Sequence, residues 1–390
     1  MFKIKTLNAI SGIIHTQLPE TEYAVSPDEP QPDAVLVRSA SMHDMPLGKE
    51  LLAIARAGAG VNNIPIEQCS KAGVVVFNTP GANANAVAEL VLAGLLMGSR
   101  NVAQGVSWAQ SLQGQGDAVP ALVEKGKKQF VGPEVRGKTL GVIGLGAIGA
   151  LVANAAATGL GMRVVGYDPF ISVDRAWSLS SAVGHAASED EVLSQADYVT
   201  FHIPLNDKTR GSIDAAKIAR MKRGAYLLNF SRGELADTAA VKAALAEGQL
   251  SAYVTDFPSE DLLGQDRVVC IPHLGASTPE SEENCAQMAA AELRDYLMYG
   301  SIRNSVNLPE VILGKPESAR LMVIHENVPN MLSSIAACVS AEGVNIDNLI
   351  NRSRKEMAVT VMELQTLPSP DALSAISNLP GVARVRTFQA

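Results

Sequence analysis

Aromatic residues are scarce in this chain, at 4% of 390 positions. A core so poor in rings must be filled by aliphatic side chains. The hydrophobic share of 47%, rich in alanine, suits helices packed tightly on parallel sheets. Cysteine is scarce as well. Cys69, Cys270, Cys285 and Cys338 stand apart with no CxxC pair, so neither a disulfide frame nor a zinc site is expected, and no other metal. No apolar run reaches membrane-spanning length, and none follows the opening Met1-Phe2-Lys3-Ile4-Lys5. A soluble cytoplasmic protein with free thiols and no membrane partner is the expectation. Basic residues do not dominate either. The 32 Lys and Arg face 40 Asp and Glu, a formal net charge of −8, which argues against a nucleic-acid partner. A local basic pocket for a small anion remains open.

Against these absences one run stands out. Residues 139–169 read TLGVIGLGAIGALVANAAATGLGMRVVGYDP. An apolar strand leads into Gly144-x-Gly146-x-x-Gly149, an alanine-rich helix follows, and a second strand ends at Asp168. In such a unit the first glycine permits the turn, the second lets a pyrophosphate approach the backbone, and the third allows close helix–strand packing. The N–H groups that open the helix, around Ala147 and Ile148, would hold the phosphates. Asp168 lies nineteen positions past Gly149, where a carboxylate accepts hydrogen bonds from both ribose hydroxyls of NAD and repels the extra phosphate of NADP. A lone glycine pattern is weak evidence. Here the flanking strand, helix and acid agree, and NAD is the expected cofactor.

At 390 residues two or three domains are expected. Strand-like runs at 34–37, 74–77, 140–143, 164–167, 198–201, 226–230, 253–255 and 268–271 alternate with helical stretches, which predicts parallel sheets covered by helices. Residues 84–97 and 285–299 read as helices, the second capped from the Ser-Thr-Pro-Glu segment upstream. The polar stretch 113–128 reads as a crossing between domains, and 304–316 as a linker. Beyond 320 the order becomes βαββαβ, with strands at 320–325, 344–346, 357–364 and 382–388. The expected fold class is α/β: two flavodoxin- or Rossmann-like doubly wound domains and a C-terminal ferredoxin-like unit.

Three later segments carry chemistry. Arg232 follows the strand run 226–230, where a guanidinium faces the ligand crevice and can grip a carboxylate with two hydrogen bonds. An ordinary strand-end ion pair is the competing reading. His273 follows the run 268–271, where an imidazole can exchange a proton with a substrate hydroxyl, against the competing role of a structural hydrogen bonder. Between them, Asp256-Phe257-Pro258-Ser259-Glu260-Asp261 offers a carboxylate to pair with His273.

The order arginine, acid, histidine resembles the D-isomer-specific 2-hydroxyacid dehydrogenase family. So do ARAGAGVNNI at 55–64, NTPGAN at 78–83, AVAE at 86–89, GLGAIG at 144–149 and HIPL at 202–205. The resemblance covers nearly the whole chain. It implies Arg232 as the catalytic arginine and His273 as the acid–base. Matching by residue type puts the family's glutamate on Glu260, whereas counting from Arg232 without a gap gives Asp261. The family usually has Asp where Asn62 stands. Beside the glycine turn and Asp168, the resemblance implies a cofactor site formed by Ile203, Pro204, Thr209, Phe230, Ser231, Arg232, Asp256, His273, Gly275 and Ala276. A small anionic 2-hydroxy acid would meet Arg38, Ser39, Arg56, Gly58, Gly60, Val61 and Asn83, with Arg56 suited to a phosphate. Domain limits implied are 1–96 with 287–308 for substrate, 97–286 for NAD, 309–319 as linker and 320–390 for the last unit.

HENVP at 325–329 and GVNI at 343–346 resemble an ACT domain of the serine-sensing kind. That likeness implies serine as an effector, on His325, Asn327 and Asn345, and a homodimer or homotetramer. Asn330 departs from the usual glycine, but Asn tolerates positive φ. Two rivals stand beside a dehydrogenase for a phosphorylated hydroxy acid. One is a reductase for glyoxylate, hydroxypyruvate or 2-oxoglutarate. The other is a non-catalytic regulator that senses NAD.

Overall fold

The short apolar runs of the first eighty residues pair in parallel. The computed structural model describes residues 1–390. Its first sheet joins β1 (Phe2–Leu7), β2 (Tyr23–Ser26), β3 (Ala34–Val37), β4 (Ala53–Arg56) and β5 (Val75–Asn78) in the order β2-β1-β3-β4-β5. β3 is buried along its whole length, as a central parallel strand should be. β1 reads FKIKTL and buries Ile4 alone, so its lysines hide it from a search for apolar runs.

The second sheet holds β6 (Thr139–Ile143), β7 (Arg163–Tyr167), β8 (Val183–His185), β9 (Tyr198–Phe201), β10 (Ala225–Asn229), β11 (Leu250–Thr255) and β12 (Val268–Cys270). Their order is β12-β11-β10-β9-β6-β7-β8, all parallel. The winding reverses between β6 and β9, which makes a crevice at the carboxyl ends of those strands.

The third sheet is antiparallel: β13 (Ala319–Glu326), β14 (Ile346–Arg354), β15 (Met357–Leu364) and β16 (Val382–Gln389), ordered β14-β15-β13-β16. Helices Met331–Ser340 and Pro370–Ser377 complete the ferredoxin-like βαββαβ order. The strand expected at 344–346 begins instead at Ile346. It runs through the polar sequence IDNLINRSR, an edge strand paired only with β15 and exposed along most of its length.

The chain divides into two compact units, Met1–Ala82 with Glu282–Ala390, and Asn83–Ser281. Helix Ala84–Arg100 packs within the second unit, on helix Ala147–Thr158 and on β11. The polar stretch 113–128 is no crossing. It carries helix Val119–Gly126, started by a proline in its first turn, and lies inside the second unit. The expected linker is also pinned: Leu308 and Val311 are buried, and Val311 exchanges two backbone hydrogen bonds with Ile302, at 3.0 and 2.8 Å. The apolar residues of this proline-bearing stretch keep no sustained local period that would announce this. No single helix is long and apolar enough to cross a membrane.

The ferredoxin-like sheet buries both faces. Leu321, Val323, Met362 and Leu364 pack under its own helices. The alternate residues Met322, Ile324, Val359 and Val361 join one core with Ile4, Leu36, Phe77 and Tyr296. The period of two along β13 and β15 sends successive side chains to the two cores. Arginines fasten the contact to the end of helix Pro279–Tyr299. Arg386 donates to the carbonyls of Tyr296 and Leu297 at 2.9 Å each and lies over the Tyr296 and Phe388 rings. Arg320 donates to Tyr299 O at 2.6 Å. The last carbonyls of a helix lack intrahelical partners and sit at its negative end, so two cations from the sheet answer both needs.

Candidate active site

The glycine turn after β6 divides its labour. Gly144 has φ +89°, and a Cβ there would lie 2.5 Å from the His202 carbonyl oxygen. A Cβ on Gly149 would lie 1.9 Å from the Gly144 carbonyl oxygen. Around Gly146 nothing comes within 4 Å. Two glycines are therefore required by the backbone, while the middle one borders open space at the start of helix Ala147–Thr158. A pyrophosphate fits there, against N–H groups that helix geometry leaves free. Asp168, at the end of β7, accepts from Leu145 N at 2.9 Å and Phe170 N at 2.8 Å, which fixes its carboxylate beside the turn. Across the switch point Ile203 packs on Gly144, and Thr209 Oγ1 donates to Pro204 O at 2.6 Å. Phe230, expected as a cofactor contact, has its side chain in the core against Gly94, so its main chain alone is left for a ligand.

Arg232 and His273 both extend from carboxyl ends of strands in this unit, and both are exposed. Asn229 Nδ2 donates to Arg232 O at 2.9 Å, and Ser231 Oγ donates to Phe201 O at 2.7 Å, which holds the turn after β10. The His273 ring rests on Phe257, centroids 4.7 Å apart. The carboxylate that both side chains act on is Asp256, at the end of β11. It is 1% exposed, and its Oδ1 has no partner. Burial raises its pKa above the usual range, while His273, the Gly275 amide and Arg232 pull it down. An added Cβ at Gly275 would press on this carboxylate, 3.2 Å from Asp256 Oδ2 and 3.3 Å from Val87. Ala276 follows, half-buried. Glu260 and Asp261 stand exposed further along the loop, and no hydrogen bond or ion pair ties either to His273. The structure thus brings Arg232, Asp256 and His273 into electrostatic reach of one another. Nearby His202 is half-buried and neutral: loss of solvent pushes its pKa down to about 4, and Nε2 lies 3.0 Å from Thr200 Oγ1.

The first unit carries the remaining substrate candidates on two loops. Arg56 Nε donates to Arg38 O at 3.1 Å, and Arg38 pairs with Glu282 at 2.5 Å. Ser39 N and Ala40 N both donate to Asn8 Oδ1, at 2.9 and 2.8 Å. The Arg56 guanidinium lies over Gly58, where φ is +140° and a Cβ would overlap Nη1. Thr79 Oγ1 accepts from Gly58 N at 2.7 Å, and Asn78 Nδ2 donates to Ala59 O at 2.6 Å, which sets the loop that continues to Gly60 and Val61. Asn8, Asn78 and Thr79 escape sequence reasoning as scaffolding. The only available signal is the Asn-Thr-Pro turn after β5. Asn83 begins the helix of the second unit without a side-chain cap.

No hydrogen bond joins the effector candidates to one another. His325 is 3% exposed, with Nδ1 2.7 Å from Glu326 O and Nε2 2.8 Å from Thr360 Oγ1, so both ring nitrogens are engaged. Asn327 and Asn345 are exposed, and their amides donate to Lys355 O and Asp347 Oδ1. Asn330 adopts φ +66°, the conformation its usual glycine would take.

The family model for the NAD binding domain of D-isomer specific 2-hydroxyacid dehydrogenases matches residues 92–275. The D-3-phosphoglycerate dehydrogenase of Synechocystis is 36% identical over 291 residues, 72% of this chain and 50% of that protein. The chain therefore spans half the length of that relative. The protein of the same name from Methanocaldococcus jannaschii is 34% identical over 374 residues, 91% of this chain and 68% of that one. Among solved structures, the NAD+-bound 3-phosphoglycerate dehydrogenase of Entamoeba histolytica superposes with a TM-score of 0.62 at 27% identity, covering 78% of this chain and 98% of its own.

Proposed function

The chain belongs to the D-isomer specific 2-hydroxyacid dehydrogenase family, and we propose that it oxidises 3-phospho-D-glycerate to 3-phosphohydroxypyruvate, the entry reaction of serine synthesis. The observation that carries this reading is the convergence of Arg232, Asp256 and His273 beside a glycine turn built for NAD. The Gly144–Gly149 turn and Asp168 would hold NAD, which would supply the acceptor for the hydride on C2. His273 takes the C2 hydroxyl proton as the carbonyl forms, which balances the oxidation. Arg232 grips the carboxylate and polarises the developing carbonyl. Asp168 takes the ribose hydroxyls, and Arg56 and Arg38 answer the phosphate.

Asp256 is the acid we assign to orient this pair, with Glu260, or Asp261 in its place, as the alternative. Comparing Asp256→Asn with Glu260→Gln separates them, because only the residue coupled to His273 changes the pH–rate profile. The relatives' names favour phosphoglycerate over glyoxylate, hydroxypyruvate or 2-oxoglutarate. Steady-state rates on those acids with NAD and NADP test this, alongside His273→Ala. The reading fails if phosphoglycerate is not the best substrate, or if His273→Ala turns over normally. Serine as an effector, and a homodimer or homotetramer, complete the proposal. The exposed amides of Asn327 and Asn345 and the free edge of β14 support it. The closed position of His325 predicts that its imidazole contributes little to serine binding. Rates measured with and without serine check this.

A further inference from the structure

In the first unit, helix Pro279–Tyr299 borders a cavity of about 500 Å³ that none of the residues above uses. Met288, Ala291, Glu292 and Asp295 line it from the helix, on one face by their spacing. Glu292 is 4% exposed. Asn304 Nδ2 donates to its Oε1 at 2.8 Å, but Oε2 has no partner. A buried acceptor left bare is costly, and rotation about the terminal torsion exchanges the two oxygens at little expense. Arg303, across the cavity, is exposed and makes no hydrogen bond or ion pair. No group of three or more His, Cys, Asp and Glu is arranged to hold a metal ion, so these carboxylates suit a ligand larger than a bare cation.

We propose that this cavity binds an α-amino acid with an aliphatic side chain, its ammonium on Glu292, its carboxylate on Arg303 and its side chain against Met288, Ala291 and Ile312. A plain amine would leave Arg303 unanswered. A plain carboxylate would meet the charges of Asp295 and Glu310, which outnumber Arg303. The ligand class goes beyond the dehydrogenase reading and does not depend on it.

Burial pushes the Glu292 carboxyl up to about 8. Asn304 and Arg303 oppose that rise and Asp295 adds to it. An ammonium requires the ionised form, so binding near neutral pH releases about one proton.

The test is calorimetric titration of the full chain with L-leucine, isoamylamine (leucine without its carboxylate) and isocaproate (leucine without its ammonium), in two buffers of different ionisation enthalpy. Leucine should bind saturably with proton release. Each fragment should bind at least about tenfold more weakly, and Glu292→Gln and Arg303→Ala should each weaken leucine by at least about tenfold. The exposed Arg303 keeps the test decisive should Glu292→Gln fold poorly. No saturable binding up to about 10 mM would overturn the proposal, being weaker than any useful site. Equal binding by both variants would overturn it too. So would loss of binding in Asn345→Ala with both cavity variants unaffected, which would send the ligand to the ferredoxin-like module.

Discussion

Replacing Gly146 by alanine should separate cofactor binding from folding. The backbone there has φ −68°, which alanine tolerates, and an added Cβ meets nothing within 4 Å. Stability should hold to within about 0.5 kcal/mol, or rise slightly, because alanine has fewer unfolded conformations to lose. A bound pyrophosphate must occupy that same space. Overpacking by one methyl group costs about 1–3 kcal/mol, which lowers NAD affinity by about 5- to 150-fold. Gly149→Ala is the contrasting control. Its Cβ would sit 1.9 Å from a backbone oxygen that no side-chain rotation can move, so a loss of about 3 kcal/mol or more is expected. Thermal melts without ligand, paired with calorimetric NAD titrations, read both quantities. The reasoning is refuted if Gly146→Ala binds NAD as tightly as the parent, or if its Tm falls as far as that of Gly149→Ala.

Three further outcomes are expected. The carboxyl of Glu292 is raised from 4.5 to about 8, so the stability of its neutral form is full below pH 4.5 and drains away as pH rises through 8. Glu292→Gln should therefore match the parent in denaturant melts near pH 4 and exceed it by about 3–5 kcal/mol above pH 8. Asp256→Asn removes a buried charge whose largest perturbation is burial itself. Tm should hold or rise while kcat falls at least about tenfold, measured by differential scanning and steady-state kinetics. Arg386→Met strips two hydrogen bonds from the carbonyls of Tyr296 and Leu297. A loss of about 2–4 kcal/mol in urea unfolding would accord with that, and an unchanged midpoint would rule the capping role out.

Much of this architecture is legible in the residue order because parallel strands buried on both faces must be continuously apolar. β3, β6 and β9 announce themselves in that way, and the glycines after β6 mark the turn. The lysines of β1 and the polar edge strand β14 defeat the same search. The site divides similarly. Strand-end positions bring Arg232 and His273 to notice, yet the preference for Glu260 over Asp261 rests on residue type alone. Burial and the Gly275 amide distinguish Asp256, and neither leaves a mark on linear spacing. The linker reading fails at Leu308 and Val311 because the apolar residues of that proline-bearing stretch keep no sustained period, however deeply those two pack.

The core that holds Ile4 is closed by Met322, Ile324 and Phe388. During synthesis, the opening sheet therefore waits on the ribosome until nearly four hundred residues have emerged. The inserted unit Asn83–Ser281 draws on no residue outside itself for its own clusters and is complete much earlier. The nascent chain thus matures from its middle outward. Trimming the last seventy residues would bare the apolar side chains of the opening sheet that Met322, Ile324, Val359 and Val361 cover.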